Sequence, residues 1–447
     1  MPPEFNFFQH WYPITPIEDL DPKRPTAVTL LGLQLVLWKP KSSPTYQVFL
    51  DRCPHRLAPL SEGLIDEQTG NLMCSYHGWQ FDERGICTRI PQAENPDLIS
   101  QNPQNFCAVA LPCREANDLL WVWADPKTAE LAAQTPLPLS PQIDASQGFV
   151  WSSFVRDLEY DWSTLVENVA DPSHVPFAHH GVQGNRKRAA PIPLKIIKST
   201  ASLIEAESQK PLKTTITFEP PCRLEYAISL GGGGKQVGLV TYCLPVSPGK
   251  SRIVAQFPRN FAKTLHYITP RWWEHIKTRN LVLDGDMILL HQQEYFLQQR
   301  QKKESWKSAY KLPTSADRLV IEFRHWFEQS CHGQLPWNEV GIKVPEKLTI
   351  NDNRQELLDR YRQHTQHCSS CRRALKWVQH LQIILLGYFA LAVVGVTLMP
   401  ESIRLRLGLP LMAIALLGLA VYSWLKKWLQ PRFYFVDYIH AQKKLER

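Results

Sequence analysis

The sequence has few of the features that mark exported, nucleic-acid-binding or disordered proteins. Its first 16 residues contain no lysine or arginine, so no charged segment precedes an apolar signal core, and we expect no export. Acidic residues are nearly as many as basic ones, 42 against 50, and the densest basic run is only Arg186–Arg188. Such a short run is typical of solvated surface, so we predict no nucleic-acid partner. The 44% hydrophobic content excludes a disordered chain.

A cystine framework is not expected either. Ten cysteines are spread over 447 residues, a length that corresponds to about three domains and can bury its own core without disulfides. Reduced thiols that bind metal or carry out redox chemistry are the better expectation in such a chain. The 15 tryptophans and 35 prolines favour an aromatic-rich, loop-rich enzyme over an array of helical repeats.

Two kinds of folded body follow each other along the chain. Residues 28–140 consist largely of short strand-like runs broken by turn residues, which predict a small all-β module. After a proline-rich stretch at 135–141, further strand-like runs, the first over Leu194–Glu205, precede a long helical stretch that starts near Pro270. A sheet followed by a long helix predicts an α+β domain over 141–350.

The C-terminal part is apolar enough to enter a membrane. Leu381–Met399 and Leu407–Leu425 contain no charged residue, and each has about the length that crosses a bilayer. A helix that is apolar on every side has no polar face to turn to water. Six basic residues flank the pair outside, and two lie in the short connection Pro400–Arg406. The positive-inside rule therefore predicts a hairpin over 377–430 with the N-terminal body and the tail on the cytoplasmic side.

A cysteine and a histidine occur together in each of two short segments. Cys53 and His55 form a C-x-H motif, and Cys74 and His77 form a C-x2-H motif. In a Rieske cluster two thiolates hold one iron and two imidazoles hold the other. A tetrahedral zinc site can use the same side chains, but zinc modules commonly pair two cysteines on one turn. The arrangement therefore favours a [2Fe-2S] cluster.

The segments around these pairs, CPHRLAPLSEG at 53–63 and CSYHGW at 74–79, resemble the Rieske domain of ring-hydroxylating non-haem iron oxygenases. They are most similar to the branch of pheophorbide a oxygenase and chlorophyllide a oxygenase. The resemblance implies an α+β fold with an all-β Rieske domain, a helix-grip (START-like) catalytic domain and a two-helix transmembrane hairpin. The expected divisions are 1–27 for a segment packed on the catalytic domain, 28–140 for the Rieske domain, 141–350 for the catalytic domain, 351–376 for a helical linker, 377–430 for the hairpin and 431–447 for a cytosolic tail.

The resemblance extends to a second metal site. The segment from Asn168 to His179 is similar to the family's N-x2-D-x2-H-x4-H iron motif, which makes His174 and His179 the expected ligands of a mononuclear iron. Two histidines and one carboxylate leave positions open for dioxygen. The family's carboxylate lies in a D-x3-L-x2-Q-like stretch of a long helix, a frame that favours Asp286. We expect the neighbouring Asp284 to be an exposed carboxylate near the helix start.

The same motif implies catalytic roles for two polar residues before the histidines. In this family an aspartate at the position of Asp171 bridges an iron-bound histidine and a Rieske histidine of a neighbouring subunit. Asp171 is therefore the expected electron-transfer bridge, and the chain is expected to form a ring-shaped oligomer, usually a homotrimer. Asn168 is assigned to the catalytic site by the same motif.

A C-x2-C pair, Cys368 and Cys371, precedes the first apolar run. A redox dithiol is one interpretation, because the nearby Arg372 would favour a thiolate. A zinc site with His364 and His367 is another, although four ligands within eight residues have poor tetrahedral reach. An inert pair is the third. The resemblance implies a pair that responds to thioredoxin.

Together these features predict a membrane-anchored Rieske oxygenase. Reduced ferredoxin would supply electrons, and the expected cofactors are a [2Fe-2S] cluster and a mononuclear non-haem Fe(II) that uses O2 to oxygenate a chlorophyll-derived tetrapyrrole. The alternatives are a non-enzymatic electron-transfer or redox-sensing membrane protein, and an oxygenase of another apolar substrate such as a sterol. The lack of a serine- and arginine-rich transit segment favours a cyanobacterial thylakoid or plasma membrane, or a processed plastid chain whose catalytic domain faces the stroma.

Overall fold

The computed structural model describes residues 5–95, 103–231, 233–301, 305–344 and 350–442. Its strands form four antiparallel sheets. The N-terminal part contributes β1 Trp11–Pro16, β2 Thr26–Leu30, β3 Leu33–Trp38, β4 Gln47–Leu50, β5 Leu64–Ile65, β6 Leu72–Met73, β7 Gln80–Phe81, β8 Cys87–Arg89, β9 Ala110–Leu111, β10 Cys113–Ala116 and β11 Leu119–Trp123. One large sheet contains β12 Ser153–Leu158, β13 Lys195–Ser199, β14 Ile204–Ser208, β15 Thr214–Glu219, β16 Arg223–Ser229, β17 Gln236–Ser247 and β18 Lys250–Gln256.

The N-terminal strands form three small sheets, ordered β2-β3-β4-β9, β5-β6-β7-β8 and β1-β11-β10. A buried apolar cluster that includes Trp38 and Phe49 surrounds Cys53 and Cys74. The prediction of an all-β N-terminal module is confirmed. Strand β1 was not predicted, because it contains two prolines. It lies at the edge of its sheet, where the missing N–H of a proline costs no hydrogen bond between strands.

The large sheet has the order β12-β18-β17-β16-β15-β14-β13. The helix Asn280–Gln301, called the long helix below, is joined to strand β12 by Arg156 Nη1, which donates to Asn280 O at 3.0 Å, and it buries Leu283, Met287 and Leu290 in the main core. This sheet and helix confirm the α+β prediction. The expected single run Leu194–Glu205 is wrong, because it is the hairpin of β13 and β14. Its turn is closed by Thr200 N, which donates to Leu203 O at 2.9 Å, and it contains no glycine or proline that would have marked it.

The helices of the described residues are mostly short, apart from the long helix and the C-terminal pair. Their bounds are Ala129–Gln134, Trp162–Ala170, Val175–Ala178, Lys263–Ile268, Arg271–Glu274, Asn280–Gln301, Trp306–Ala309, Arg318–Cys331, Arg354–Leu357, Ser369–Leu398, Glu401–Ile403 and Leu409–Trp424. A π-helical turn, His275–Arg279, joins the helix Arg271–Glu274 to the long helix without a break. A second such turn, Tyr361–Thr365, comes shortly before the C-terminal pair.

The C-terminal helices form an antiparallel pair that projects from the catalytic body. Two helical segments, Ser369–Leu398 and Glu401–Phe433, are long and apolar enough to cross a membrane. Most of their apolar side chains are exposed, as for Leu391 at 73%. The chain then turns back. Of the tail predicted over 431–447, residues 443–447 lie outside the described residues, and the part before them packs on the catalytic body through the buried Phe433 and Tyr438.

Candidate metal centres

The two cysteine-histidine segments fold into matching turns. In the first turn Cys53 N donates to Ala58 O and Leu57 N donates to Cys53 O, both at 2.8 Å. The second turn repeats both bonds at 2.9 Å: Cys74 N to Trp79 O and Gly78 N to Cys74 O. The fifth residue of each turn has a positive φ, 60° for Leu57 and 72° for Gly78. The sequence therefore builds two similar loops, which the sheets hold side by side.

The loops bury their cysteines and present their histidines at the tip. Cys53 and Cys74 are 1% and 2% exposed, whereas His55 and His77 are half-buried with ring centroids 4.4 Å apart. Nδ1 of His55 is buried and has no hydrogen-bond partner among the described residues. Two inner sulfurs and two outer imidazoles fit the donor set of a Rieske cluster, with thiolates on one iron and histidines on the other.

Two apolar side chains flank this tip. Leu57 is 69% exposed and Tyr76 is 61% exposed, one from each loop. Isolated exposed apolar residues are ordinary on a protein surface, but this pair borders the two histidines. The tip therefore has an exposed apolar border beside the two histidines.

A second group of side chains, called the triad below, consists of His174, His179 and Asp286. The short helix Val175–Ala178 lies between the two histidines, so both rings start from one helical turn, and Asp286 approaches from the long helix. His174 Nε2 lies 3.1 Å from His179 Nε2. Asp286 Oδ2 lies 3.4 Å from His179 Nε2, and Asp286 Oδ1 lies 4.0 Å from His174 Nε2. The three groups are close enough to hold one metal ion.

Burial and neighbouring charges tune the three groups differently. Burial raises the pKa of Asp286 to about 7. Burial and then the charge of His174 lower the pKa of His179 to about 3, so this ring is neutral, as a ligand must be. Burial acts to lower the pKa of His174 as well, but the hydrogen bond that its ring donates to Asp171 and the charge of Asp286 raise this pKa overall. Two histidines and one carboxylate fit a non-haem iron site with open positions.

The structure brings both polar residues of the motif to the triad. The ring nitrogen Nδ1 of His174 lies 2.6 Å from Asp171 O and 3.7 Å from Asp171 Oδ2, which leaves Nε2 to face the other two members. Burial opposes ionisation of Asp171, but hydrogen bonds with His174 and Ser173 lower its pKa. Asn168 hydrogen-bonds the carboxylate of Asp286.

The expectation that Asp284 is exposed is wrong. Its side chain is fully buried between two arginines: Arg156 Nη2 lies 2.7 Å from Oδ1, and Arg360 Nε donates to Oδ2 at 2.8 Å. Because Asp284 and Asp286 are two residues apart on a helix, they point to different sides. A spacing pattern alone does not tell which side holds the buried arginines.

A pocket of about 470 Å³ opens beside His174 of the triad. Its lining consists of His174, Phe177, Ala178, Arg186, Leu289 and His440. Phe177 and Leu289 give it an exposed apolar rim, whereas Arg186 adds a positive charge. Arg186 begins the basic run that the sequence assigned to solvated surface. Its position at the pocket was not predictable from a three-residue charge pattern.

The C-terminal tail supplies part of this wall, a contact that no sequence pattern predicts. Tyr438 Oη donates to Ala178 O at 2.7 Å, and His440 lies at the pocket. Gly285 allows this approach, because a Cβ there would lie 2.9 Å from Ala178 O and 3.2 Å from the Tyr438 ring. The chain thus returns from the apolar hairpin to the residue next to His179.

The C-x2-C pair lies in a buried group of four side chains that we call the tetrad: Cys368, Cys371, His275 and His364. The structure brings the pair to His364, as one sequence interpretation required, but not to His367, which is exposed. The fourth member, His275, comes from the π-helical turn before the long helix. Four ligands within eight residues could hardly surround one ion. This objection does not apply here, because His275 comes from a distant part of the chain.

Comparison with known families and proteins agrees with this architecture. Residues 10–110 match the family model described as Rieske [2Fe-2S] domain, and residues 218–304 match the model described as pheophorbide a oxygenase. A chloroplastic pheophorbide a oxygenase of Oryza sativa subsp. japonica is 39% identical over 462 residues, covering 98% of this chain and 86% of the relative. A chloroplastic flavonoid 8-hydroxylase 2 of Ocimum basilicum is 32% identical, with the same coverage of both chains.

Solved structures agree at the level of the fold. Dicamba monooxygenase bound to dicamba superposes with a TM-score of 0.58 at 19% identity, covering 73% of this chain and 98% of that structure. The chain belongs to the pheophorbide a oxygenase family of Rieske oxygenases, enzymes that use a [2Fe-2S] cluster, a non-haem iron and O2.

Proposed function

We propose that this enzyme oxygenates a chlorophyll-derived tetrapyrrole, with reduced ferredoxin or a similar protein as its electron donor. The observation that carries the proposal is the triad, whose His174 lines an open, apolar-rimmed pocket, in a chain 39% identical to a pheophorbide a oxygenase. A flat apolar macrocycle suits the rim formed by Phe177 and Leu289. Arg186 would pair with an acidic substituent of such a substrate.

Each part of the site has a proposed role. Cys53, Cys74, His55 and His77 would hold the cluster, and His174, His179 and Asp286 would hold the iron. When bound, the cluster carries single electrons and the iron activates dioxygen next to the substrate. Asn168 donates a hydrogen bond that orients the Asp286 carboxylate, and Asp171 fixes the ring of His174 through Nδ1.

Asp171 is also the proposed electron-transfer bridge between neighbouring subunits of a homotrimer. Two features support this assignment. The Asp171 side chain is 26% exposed, so it is accessible beside the triad, and the Rieske histidines lie at a surface tip bordered by Leu57 and Tyr76. Docking of one subunit's tip on the next subunit's Asp171 would cover both surfaces.

The enzyme is proposed to be an integral membrane protein, anchored by the hairpin with its catalytic domain on the cytoplasmic or stromal side. The exposed apolar helices and the six outer against two inner basic residues support this orientation. A cyanobacterial thylakoid or plasma membrane is the proposed location. Thioredoxin remains a proposed partner of Cys368 and Cys371 only for a state that exposes their sulfurs, because both are fully buried in this structure.

The proposed function can be tested with the detergent-purified full chain. Incubation with reduced ferredoxin, 18O2 and pheophorbide a or chlorophyllide a should give a product that contains 18O, detected by mass spectrometry. A flavonoid offered in parallel tests the chemistry of the second relative. Incorporation into the flavonoid alone would overturn the tetrapyrrole assignment, as would uncoupled O2 consumption with both tetrapyrroles.

A further inference from the structure

The tetrad shares no residue with either proposed iron site. Its four ligating atoms are two sulfurs and two ring nitrogens, all within 4.8 Å of one another. Each of the four side chains is 0% or 1% exposed. Two thiols and two imidazoles packed together away from water are the donor set of a structural zinc site.

Four of the six distances between the ligating atoms fit the edges of a tetrahedron. His364 Nε2 lies 3.1 Å from His275 Nδ1 and 3.3 Å from Cys371 Sγ. His275 Nδ1 lies 3.6 Å from Cys368 Sγ and 3.5 Å from Cys371 Sγ. Zinc bonds of about 2.3 Å to sulfur and about 2.0–2.1 Å to nitrogen give tetrahedral edges of about 3.3–3.4 Å between nitrogens and about 3.6 Å between nitrogen and sulfur. We propose that Cys368, Cys371, His275 and His364 bind one Zn²⁺ ion.

The surrounding groups hold the ligands in the required form. His364 Nδ1 lies 2.6 Å from Val155 O, so this nitrogen carries the proton and Nε2 turns its lone pair to the tetrad. Phe154 stacks on the same ring at 4.6 Å between centroids. Arg271 Nη2 donates to Cys368 Sγ at 3.2 Å, a contact that stabilises a thiolate. Two thiolates neutralise the charge of the ion, so the buried site carries no net charge.

The backbone positions the two histidines. His275 and His364 both lie in π-helical turns, which also occur in the hairpin at Arg404–Gly408 and Leu425–Leu429. A π-helical turn widens the helix and changes the direction of its side chains. Here the two turns direct histidines that are 89 residues apart in sequence toward one point.

The site is closed, which indicates a structural role. Four protein ligands complete a tetrahedron, whereas a catalytic zinc keeps a position for water or substrate. His275 belongs to the catalytic body, and Cys371 belongs to the first apolar helix, Ser369–Leu398. The ion therefore fastens the base of the hairpin to the catalytic domain and fixes the angle between them.

The redox dithiol requires the same two sulfurs, so the two roles exclude each other at any one time. A reactive cysteine is partly exposed to its reaction partner, and neither Cys368 nor Cys371 is. The zinc site explains their burial beside two histidines, which a thiol-disulfide exchange site does not require.

The first test uses the wild-type full chain, purified in detergent without added metal. Elemental analysis should find about one zinc per chain in addition to the iron. X-ray absorption at the zinc edge should find two sulfur ligands near about 2.3 Å and two nitrogen ligands near about 2.0–2.1 Å. This measurement needs no variant and is independent of enzyme activity.

Variants then assign the ligands. His275→Ala and Cys371→Ser should each reduce zinc from about one to below about 0.1 per chain, with the iron content and the Rieske spectrum retained. His367→Ala is the matched control, because this exposed histidine lies next to Cys368 and outside the tetrad. It should keep the full zinc content.

Three results would overturn the proposal. The first is a wild-type chain with a complete Rieske spectrum and no zinc. The second is a Cys368–Cys371 disulfide in most of the freshly isolated chains. The third is a zinc ion whose absorption spectrum contains no sulfur ligand.

Discussion

The triad and the tetrad are both buried groups of metal-ligating side chains, yet only the triad is open. His174 lies on the wall of the 470 Å³ pocket, and two histidines and a carboxylate leave coordination positions for other molecules. The tetrad is sealed by Phe154, by Arg271 and by the apolar residues at the base of the hairpin. The number of ligands and the access to solvent, rather than burial itself, separate a site for chemistry from a site for stability.

One continuous helical segment, Arg271–Gln301, carries a member of each group. His275 and Asp286 are 11 residues apart, which corresponds to about 16 Å along a helix. Asp284 lies between them and pairs with Arg156 and Arg360. The same helix therefore supports an open site, a closed site and a buried ion pair between them, and substitutions can test each separately.

The largest effect is expected at the open site. Asp286→Ala should reduce substrate oxygenation to background, a loss beyond the roughly 10- to 100-fold that is typical of residues that only support metal ligands. Iron should fall from three to two per chain, because one ligand of the mononuclear site is lost. Elemental analysis and the Rieske spectrum measure this directly. Retention of three irons with normal turnover would reject Asp286 as a ligand.

Asp284→Ala should strongly destabilise the protein. It leaves the buried Arg156 and Arg360 without their carboxylate, a loss of about 3–5 kcal/mol in the free energy of unfolding. Denaturant unfolding of the full chain measures it. The folded fraction should keep three irons per chain, which distinguishes Asp284 from Asp286. A loss of one iron would contradict the assignment of Asp286, rather than Asp284, as the iron ligand.

Asp171→Asn should keep both the cluster and the iron while slowing reoxidation of the reduced cluster by at least about 10- to 100-fold. The amide keeps the shape of the side chain, whereas the negative charge beside His174 is lost. Stopped-flow spectroscopy of cluster oxidation in a single turnover is the measurement. An unchanged rate would show that the bridge lies elsewhere.

The smallest effect concerns Glu294, a third buried carboxylate on the long helix. Burial and then the charge of Asp161 raise its pKa to about 8, although Asp161 N donates to Oε2 at 2.6 Å. The unfolded chain loses this proton near pH 4, so the folded chain loses stability as the pH rises from there to about 8. Glu294→Gln should therefore stabilise the protein by about 1–3 kcal/mol at pH 9 and leave it unchanged below pH 4.

Unfolding curves at the two pH values check this prediction. Glu130→Gln is the control, because Glu130 is exposed and its replacement should change neither curve. Equal stabilisation at both pH values would contradict the assignment of the effect to ionisation.

The sequence predicted the parts of the candidate sites that lie close together along the chain. Cys53 with His55, and His174 with His179, are fixed by short loops, so their spacing carries most of the information. The choice of Asp286 over Asp284 depended on the resemblance to the family's D-x3-L-x2-Q-like stretch. Spacing alone could not decide it, because only the tertiary structure determines which side of the helix meets the arginines. Strand β1 and the β13–β14 hairpin were missed for local reasons, since prolines occupy one and ordinary residues form the turn of the other.

His275 was not predictable in the same way. It is a single histidine in a helical run, 89 residues from its nearest partner in the tetrad, and no spacing rule connects it to Cys368. The same holds for Tyr438, whose contact with Ala178 spans 260 residues. Such pairs depend on how the hairpin and the tail pack against the catalytic body.

The return of the tail has a practical consequence for work with this enzyme. Both ends of the hairpin are attached to the catalytic body, one at the tetrad and the other where Tyr438 meets Ala178 beside the pocket. A chain shortened before the first apolar helix, the usual route to a water-soluble form, would lose a wall of its own substrate pocket together with its anchor. Joining Cys371 to the tail by a short linker in place of the hairpin is therefore the better design for a soluble enzyme.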